Sequence, residues 1–257
     1  MIPLTPMKEL FMNEKTNFAI LNGNTLKIIA AIAMTCDHVG LFFFPHIPLF
    51  RIIGRLAFPI FAFMIAEGVC YTKRKARYFL KIFSLAVLFQ IVRFYFTGSL
   101  NMCVLVTFSL SILTLFALHR AKKSLWDDAI SIMQKLLFAA LFCAVVAVTY
   151  LLNLIFDIEY GFWGCMLPVF AGLFRLPEPT ENRTQSLLET IPARALMMSI
   201  PMIPIVMNTT ILQAYSFFAL PLLFLYSGKR GKRKMKYFFY IFYPLHHAVL
   251  YVLQYFW

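Results

Sequence analysis

Long apolar runs alternate with short polar or basic links along most of this chain. A helix needs about 20 mostly apolar residues to cross a bilayer, with a range of about 17–25. On that scale the runs predict spans near residues 25–44, 51–71, 78–97, 102–118, 133–154, 160–175, 193–207, 209–226 and 236–256. The pattern therefore predicts an all-α, polytopic integral membrane helical bundle with about nine transmembrane helices.

The segment 193–226 leaves two interpretations open. Pro201, Pro204 and Pro221 interrupt it, and its first apolar run is short. It forms either two full spans or one span with a re-entrant segment. A re-entrant segment is tolerated at membrane depth where protein or water surrounds its irregular backbone.

Residues 24–257 are predicted to form a single transmembrane domain. Residues 1–23 carry charges such as Lys8 and Glu9 and lack an uninterrupted apolar core. This composition differs from a signal peptide and indicates an interfacial helix or a tail.

Composition supports the membrane assignment and gives it a direction. The chain is 61% hydrophobic, whereas soluble domains are about 45–50% apolar. Lysine and arginine outnumber acidic residues by 24 to 11 and cluster at the ends of apolar runs, near 73–81, 120–123 and 229–236. With nine spans these clusters share one side, which the positive-inside rule assigns to the cytoplasm together with the N-terminus. We therefore expect a lipid partner and no nucleic acid.

The five cysteines suggest neither a disulfide framework nor a metal site. They are scattered through the apolar runs, and no two form a Cys-x-x-Cys pair. Free cysteine behaves as a small buried hydrophobe. The sequence alone thus leads us to expect no metal.

The first two spans contain several charged side chains. A charge at the centre of a transmembrane helix costs about 2.5–3.5 kcal/mol on insertion scales, so such residues tend to be functional. The charged and titratable positions are Lys27, Asp37, His38, Arg51, Arg55 and Glu67. We take this hairpin as the candidate site.

Spacing indicates which of these side chains share a face. Lys27 and His38 are eleven residues apart, about three helical turns, or roughly 16 Å along one face. Arg51 and Arg55 are four apart and suit a carboxylate or a phosphate. For Glu67, pairing with a basic residue of another span and a catalytic role are both open.

The last span adds a second polar stripe. Tyr243, His246 and His247 fall at i, i+3 and i+4, next to Pro244. Two adjacent histidines with a tyrosine favour a lined cavity, although a helix–helix hydrogen bond is the simpler reading for one histidine. His247 is interpreted as a spacer.

Four stretches in this order resemble the TraX family. They are GNTLKIIAAIAMTCDHVG, RIIGRLAFPIFAFMIAEGVCYT, YGFWGCMLP and LYSGKRGKRKMKYFFYIFYPLHHAVLYVL, and their order matches the family across nearly the whole chain from about Gly23. The resemblance implies a bacterial integral membrane protein of a family associated with N-terminal acetylation of conjugative pilin. It also implies a place in the bacterial cytoplasmic (inner) membrane.

More distant similarities point to acyl transfer. Lys27 placed ahead of His38 resembles the Arg/Lys-x10-His pattern of acyltransferase-3 type enzymes, and Phe58-Pro59 resembles the heparan glucosaminide acetyltransferase group. Those groups take acyl from cytoplasmic acyl-CoA and deliver it to a hydroxyl or amine at the other face. The resemblance makes His38 the catalytic candidate, places Lys27 and Arg55 on the donor or substrate path, and matches His246 to the terminal motif.

Residues and resemblance together give one set of expectations. The predicted catalytic residues are His38, Asp37 and His246, and the predicted substrate-binding residues are Lys27, Arg51, Arg55, Glu67 and Tyr243. His38 would act as general base, oriented by Asp37 directly or through water. Acetyl-CoA would be the donor, and the acceptor an amine or hydroxyl of a peptide, glycan or small molecule, a protein N-terminus among them. The alternatives are a transporter or proton-coupled channel, and an inert assembly protein.

Overall fold

The computed structural model describes residues 20–175, 189–232 and 235–256. The first half contains α1 (Gly23–Phe42), α2 (Pro48–Gly54), α3 (Ala57–Tyr71), α4 (Lys75–Thr97), α5 (Val104–Leu125) and α6 (Ile132–Ile155). The second half contains α7 (Gly161–Gly172), α8 (Ile191–Met197), α9 (Ser199–Met207), a 3₁₀ helix (Ile211–Phe218), α10 (Ala219–Phe224) and α11 (Lys236–Phe256). Most of the predicted N-terminal tail lies outside the described residues.

The predicted all-α membrane bundle is confirmed. Five helical segments among the described residues are long and apolar enough to cross a membrane: α1, α2 with α3, α4, α5 and α6. Three further apolar segments are shorter, Gly161–Gly172, Ile191–Met207 and Ile211–Phe224. The segment 193–226 therefore forms two helical arms, each shorter than a typical full span.

The outer surface of α6 needs a lipid environment. Leu137 is 64% exposed and Ile155 is 72% exposed, and Thr149 is the one residue of this helix, all of which is described, that is buried. Large contiguous apolar surface is rare on soluble monomers. A helix that is apolar all round and packed on one side only is stable when hydrocarbon covers the rest.

Hydrogen bonds connect the links at each end of the bundle. At one end, Leu21 N–H donates to the Leu225 carbonyl (2.9 Å), and the Tyr71 hydroxyl donates to the Gly228 carbonyl (3.3 Å). At the other, Met102 N–H donates to the Asp157 carbonyl (2.8 Å). We call the first the basic end, because the basic links around 73–75 and 229–232 lie there, and the second the distal end.

Local sequence sets where several helices start and stop. The Asn22 side chain caps α1 by accepting from the amides of Asn24 (3.0 Å) and Thr25 (3.1 Å). Ser131 and Gln134 form a reciprocal capping box at the start of α6. Gly98, at φ 64°, ends α4 in the left-handed conformation that glycine adopts at low cost.

Close approach of α1 and α2 requires glycine at position 40. A Cβ built on Gly40 would lie 2.5 Å from Phe50 Cβ, whereas one on Gly23 would meet its nearest neighbours at an ordinary 3.6 Å.

We predict that Gly40→Ala lowers stability relative to Gly23→Ala by about 1–3 kcal/mol, because overpacking shifts α2. Thermal unfolding in detergent measures the difference. Equal midpoints for the two variants would contradict the tight α1–α2 contact.

Candidate functional site

A cavity of about 1010 Å³ lies between α1, α3, α4 and α11. Tyr71 and Arg230 line it near the basic end, and Thr97 and Thr209 line it near the distal end. It thus runs along most of the bundle. The predicted site residues that line it are Lys27, Asp37, His38, Arg51, Arg55, Glu67 and Tyr243.

Three histidines meet beside this cavity. His38 lies on α1, and His246 and His247 lie on α11. The ring centroids of His38 and His247 are 4.0 Å apart, and those of His38 and His246 are 5.3 Å apart. The predicted association of the first and last spans is present in the structure. His247, interpreted from the sequence as a spacer, lines the cavity, so that interpretation is wrong.

Backbone carbonyls hold the three rings. The Nδ1 atom of His38 is 2.8 Å from the Met34 carbonyl, and that of His246 is 2.9 Å from the Phe242 carbonyl. The Nδ1 atom of His247 makes a longer 3.4 Å contact with the Tyr243 carbonyl. A carbonyl only accepts, so each Nδ1 carries the proton and each Nε2 keeps its lone pair. The helix itself therefore fixes the tautomer of these histidines.

Asp37 pairs with two arginines, Arg51 within α2 and Arg55 at the C-terminal cap of that helix. Its carboxylate accepts from Arg51 (2.9 Å) and Arg55 (2.6 Å), and Arg55 also donates to Gln213 Oε1 (2.9 Å). The anion predicted for the arginine face is thus Asp37 itself. Both carboxylate oxygens face guanidinium groups, and the Met34 carbonyl receives the His38 Nδ1 proton. Of the two alternatives for Asp37, direct orientation of His38 is therefore not observed, and orientation through water stays a prediction.

A glycine makes room for this ion-pair group. A Cβ built on Gly54 would overlap the side chain of Asp37. The absence of a side chain at position 54 lets α2 approach α1 closely enough for both arginines to reach one carboxylate. In the sequence Gly54 stands next to Arg55, but the side chain that needs this space, Asp37, could be identified only from the fold.

Lys27 lies in the half of the cavity towards the basic end. Its ammonium group is 5.9 Å from the centroid of the Phe239 ring, a cation–π distance. Since Lys27 and His38 both line the cavity, the prediction that they share a face of the first span is confirmed.

Glu67 is an anchor between helices as well as a cavity residue. It is 3% exposed, forms ion pairs with Arg175 and with Arg194 (2.8 Å), and accepts a hydrogen bond from Tyr226 (3.2 Å). The expected pairing with basic residues from other parts of the chain is confirmed. These partners lie after α7, in α8 and after α10, so Glu67 joins three separate segments to α3.

Several cavity residues were missed from the sequence. Gln213, buried at 2% exposure, is the partner of Arg55, and Arg93 and Glu159 line the distal half. Glu159 accepts from the Val104 amide (2.9 Å) at the start of α5. Nothing in the sequence marked Gln213, because a neutral amide in an apolar run has no distinctive spacing.

We predict that Asp37→Asn destabilises the protein by about 3–5 kcal/mol, because it leaves two largely buried guanidinium groups facing each other without a carboxylate. Asp157→Asn is the matched control, since Asp157 is exposed and its carbonyl interaction with Met102 is unaffected. Thermal unfolding of both purified variants gives the comparison. Identical midpoints would show that the Asp37 ion pairs contribute little.

Comparisons with known proteins identify the family of the chain. The chain is 29% identical over 250 residues to the probable fimbrial assembly protein FimC, serogroup H1, of Dichelobacter nodosus, covering 88% of this chain and 92% of that protein. An uncharacterized protein of Rickettsia prowazekii (strain Madrid E) is 46% identical over 63 residues, which are 24% of this chain and 23% of that one. No solved structure matches the chain. The model of the TraX protein family matches residues 22–254, so the chain belongs to the TraX family.

Proposed function

We propose that this protein is a membrane acyltransferase, most simply an acetyltransferase, that moves an acyl group from cytoplasmic acyl-CoA to an amine or hydroxyl at or beyond the membrane. One observation carries the proposal. The cavity reaches from the basic end to the distal end, and His38 lies inside it with an unprotonated Nε2. This arrangement suits a donor and an acceptor that enter from opposite ends.

Orientation and span count belong to the same proposal. The helices alternate between the two ends, and the basic links at 73–75 and 229–232 share one of them. If the two short arms at 191–224 both cross, the bundle has nine spans. By the positive-inside rule, the basic end would then lie on the cytoplasmic side of the bacterial inner membrane.

The donor route is supported by the charge at the basic end. Arg230 and Lys27 line successive parts of the cavity, while Tyr71 lines its mouth. Cationic side chains attract the phosphates of CoA, and the apolar residues that line much of the cavity suit its pantetheine arm. The thioester would then lie deeper, towards His38.

The chemistry proposed at His38 is general base catalysis. The acceptor nitrogen or oxygen attacks the thioester carbonyl and loses its proton to Nε2 of His38, while the carbon–sulfur bond breaks and CoA leaves as the thiol after taking up a proton. Met34 holds the other ring nitrogen in the required tautomer. Arg51 and Arg55 are both paired with Asp37, so in this proposal they support the wall of the site more than they bind a free anion.

The acceptor that we propose first is suggested by the relative of Dichelobacter nodosus, whose name describes fimbrial assembly. The N-terminal amine of a surface-fibre subunit is therefore our first candidate acceptor. Glycans and small molecules with an amine or hydroxyl remain alternative acceptors of the same reaction.

We predict that His38→Gln reduces acyl transfer by at least about 100-fold, the contribution typical of a positioned base. Purified protein in liposomes is given labelled acetyl-CoA and a bacterial envelope extract, and labelled product is counted. His46→Gln is the matched control, because His46 is exposed in the link between α1 and α2. Full transfer by a normally inserted His38→Gln variant would exclude His38 as the base.

A transporter is the second candidate, favoured by the same cavity because it reaches both ends. Intramembrane His, Asp and Arg residues also serve proton relays. The liposome assay separates the two: flux of a solute or of protons without labelled product supports transport, and labelled product without flux supports transfer.

A further inference from the structure

We infer that His38, His246 and His247 form a binding site for a divalent transition-metal ion of the Zn²⁺ or Co²⁺ type. One nitrogen from each ring lies within 4.8 Å of the other two, and this is the one such cluster among the residues described. Imidazole nitrogen is a preferred donor for these ions.

The hydrogen bonds of the three histidine rings use Nδ1 and leave Nε2 free to bind a metal ion. Each Nδ1 faces a carbonyl four residues earlier on its own helix, at 2.8, 2.9 and 3.4 Å. A metal-binding histidine usually donates its second ring N–H to such an acceptor, which fixes the ring and raises its basicity. The three Nε2 atoms are therefore lone-pair donors that are already oriented.

One of these atoms is left without a partner. The Nε2 of His246 is buried and accepts no hydrogen bond from the described residues. A buried acceptor without a donor is costly, and three lone pairs brought together repel one another. A cation between them relieves both effects. A neutral water relieves them less, since it supplies two protons to three acceptors.

Size and surroundings also fit an ion. Zn–N distances of about 2.0–2.1 Å in a tetrahedral site place two ligand nitrogens about 3.4 Å apart, so the widest pair must close by at most about 1.4 Å. Phe89 packs against His247 (4.6 Å between centroids) and Phe242 against His246 (5.1 Å), giving the site an apolar shell. His38 and His247 face the cavity, which leaves a coordination position open.

The expectation of no metal came from counting cysteines and looking for short-range spacing. Ligands from two helices more than 200 residues apart, two of them adjacent in sequence, produce no metal-binding motif. Only the packing of α11 against α1 assembles them.

Metal binding is tested on the full chain in detergent after removal of metals with a chelator. Titration with Zn²⁺, followed by calorimetry, should give one ion per chain, and Co²⁺ should give the absorption spectrum of a nitrogen-ligated tetrahedral ion. His247→Gln should weaken binding by at least about tenfold, whereas the exposed-residue control His46→Gln should not. Thermal unfolding of the metal-free variants confirms that both fold.

Two results would overturn the site. One is the absence of a stoichiometric Zn²⁺ site in the wild-type protein. The other is equal affinity in wild type and in a folded His247→Gln variant, since the ion would then bind elsewhere, for example at the exposed thiol of Cys143.

A regulatory role for the ion rests on the proposed function. The bound ion inhibits transfer, because it occupies the Nε2 atom of His38, which would otherwise take the proton from the attacking amine or hydroxyl. Transfer should then fall at one equivalent of Zn²⁺ and return with chelator. Greater activity in the metal-loaded protein would overturn this regulatory role. Stoichiometric binding with no transfer in either form would instead reject the proposed function and leave the site intact.

Discussion

The ion-pair group formed by Asp37, Arg51 and Arg55 is the constraint on which the site depends. The carboxylate lies between two guanidinium groups, at 2.9 and 2.6 Å, and keeps their two positive charges from facing each other directly. Removing the carboxylate leaves both guanidinium groups unpaired. The group locks α2 against α1, and Gly54 allows that approach. As Asp37 precedes His38, it also fixes the part of α1 that presents the imidazole to the cavity.

A second charged group performs the same task at the other end of the cavity. Glu67 binds Arg175 and Arg194, and it accepts from Tyr226. Between the two groups the wall is largely aromatic and aliphatic. The two ion-pair groups thus fix the wall of the cavity, and Lys27, His38 and His247 are polar groups between them that line it.

Much of this arrangement could be predicted from the sequence, because a bilayer makes hydrophobic patterning unusually informative. Apolar run length located the helices, and the cost of buried charge singled out the first hairpin. The pairing of Lys27 with His38 along one face followed from helical periodicity. The partners did not follow: Gln213 for Arg55, Arg194 for Glu67, and the carbonyl of Met34 rather than Asp37 for His38 are consequences of packing and of local backbone geometry. His247 was interpreted as a spacer because the side chains of adjacent residues point about 100° apart on an ideal helix. In the structure the rings of His246 and His247 nevertheless both lie next to His38.

The central claim is that the cavity brings a donor from the basic end to His38 and an acceptor from the distal end. The most direct test encloses labelled acetyl-CoA inside liposomes that carry the protein and supplies an impermeant amine acceptor outside. The account predicts that label appears on the external acceptor, that this requires His38, and that acetyl-CoA itself stays inside. Label that appears only when donor and acceptor share one compartment, or efflux of intact acetyl-CoA, would contradict it.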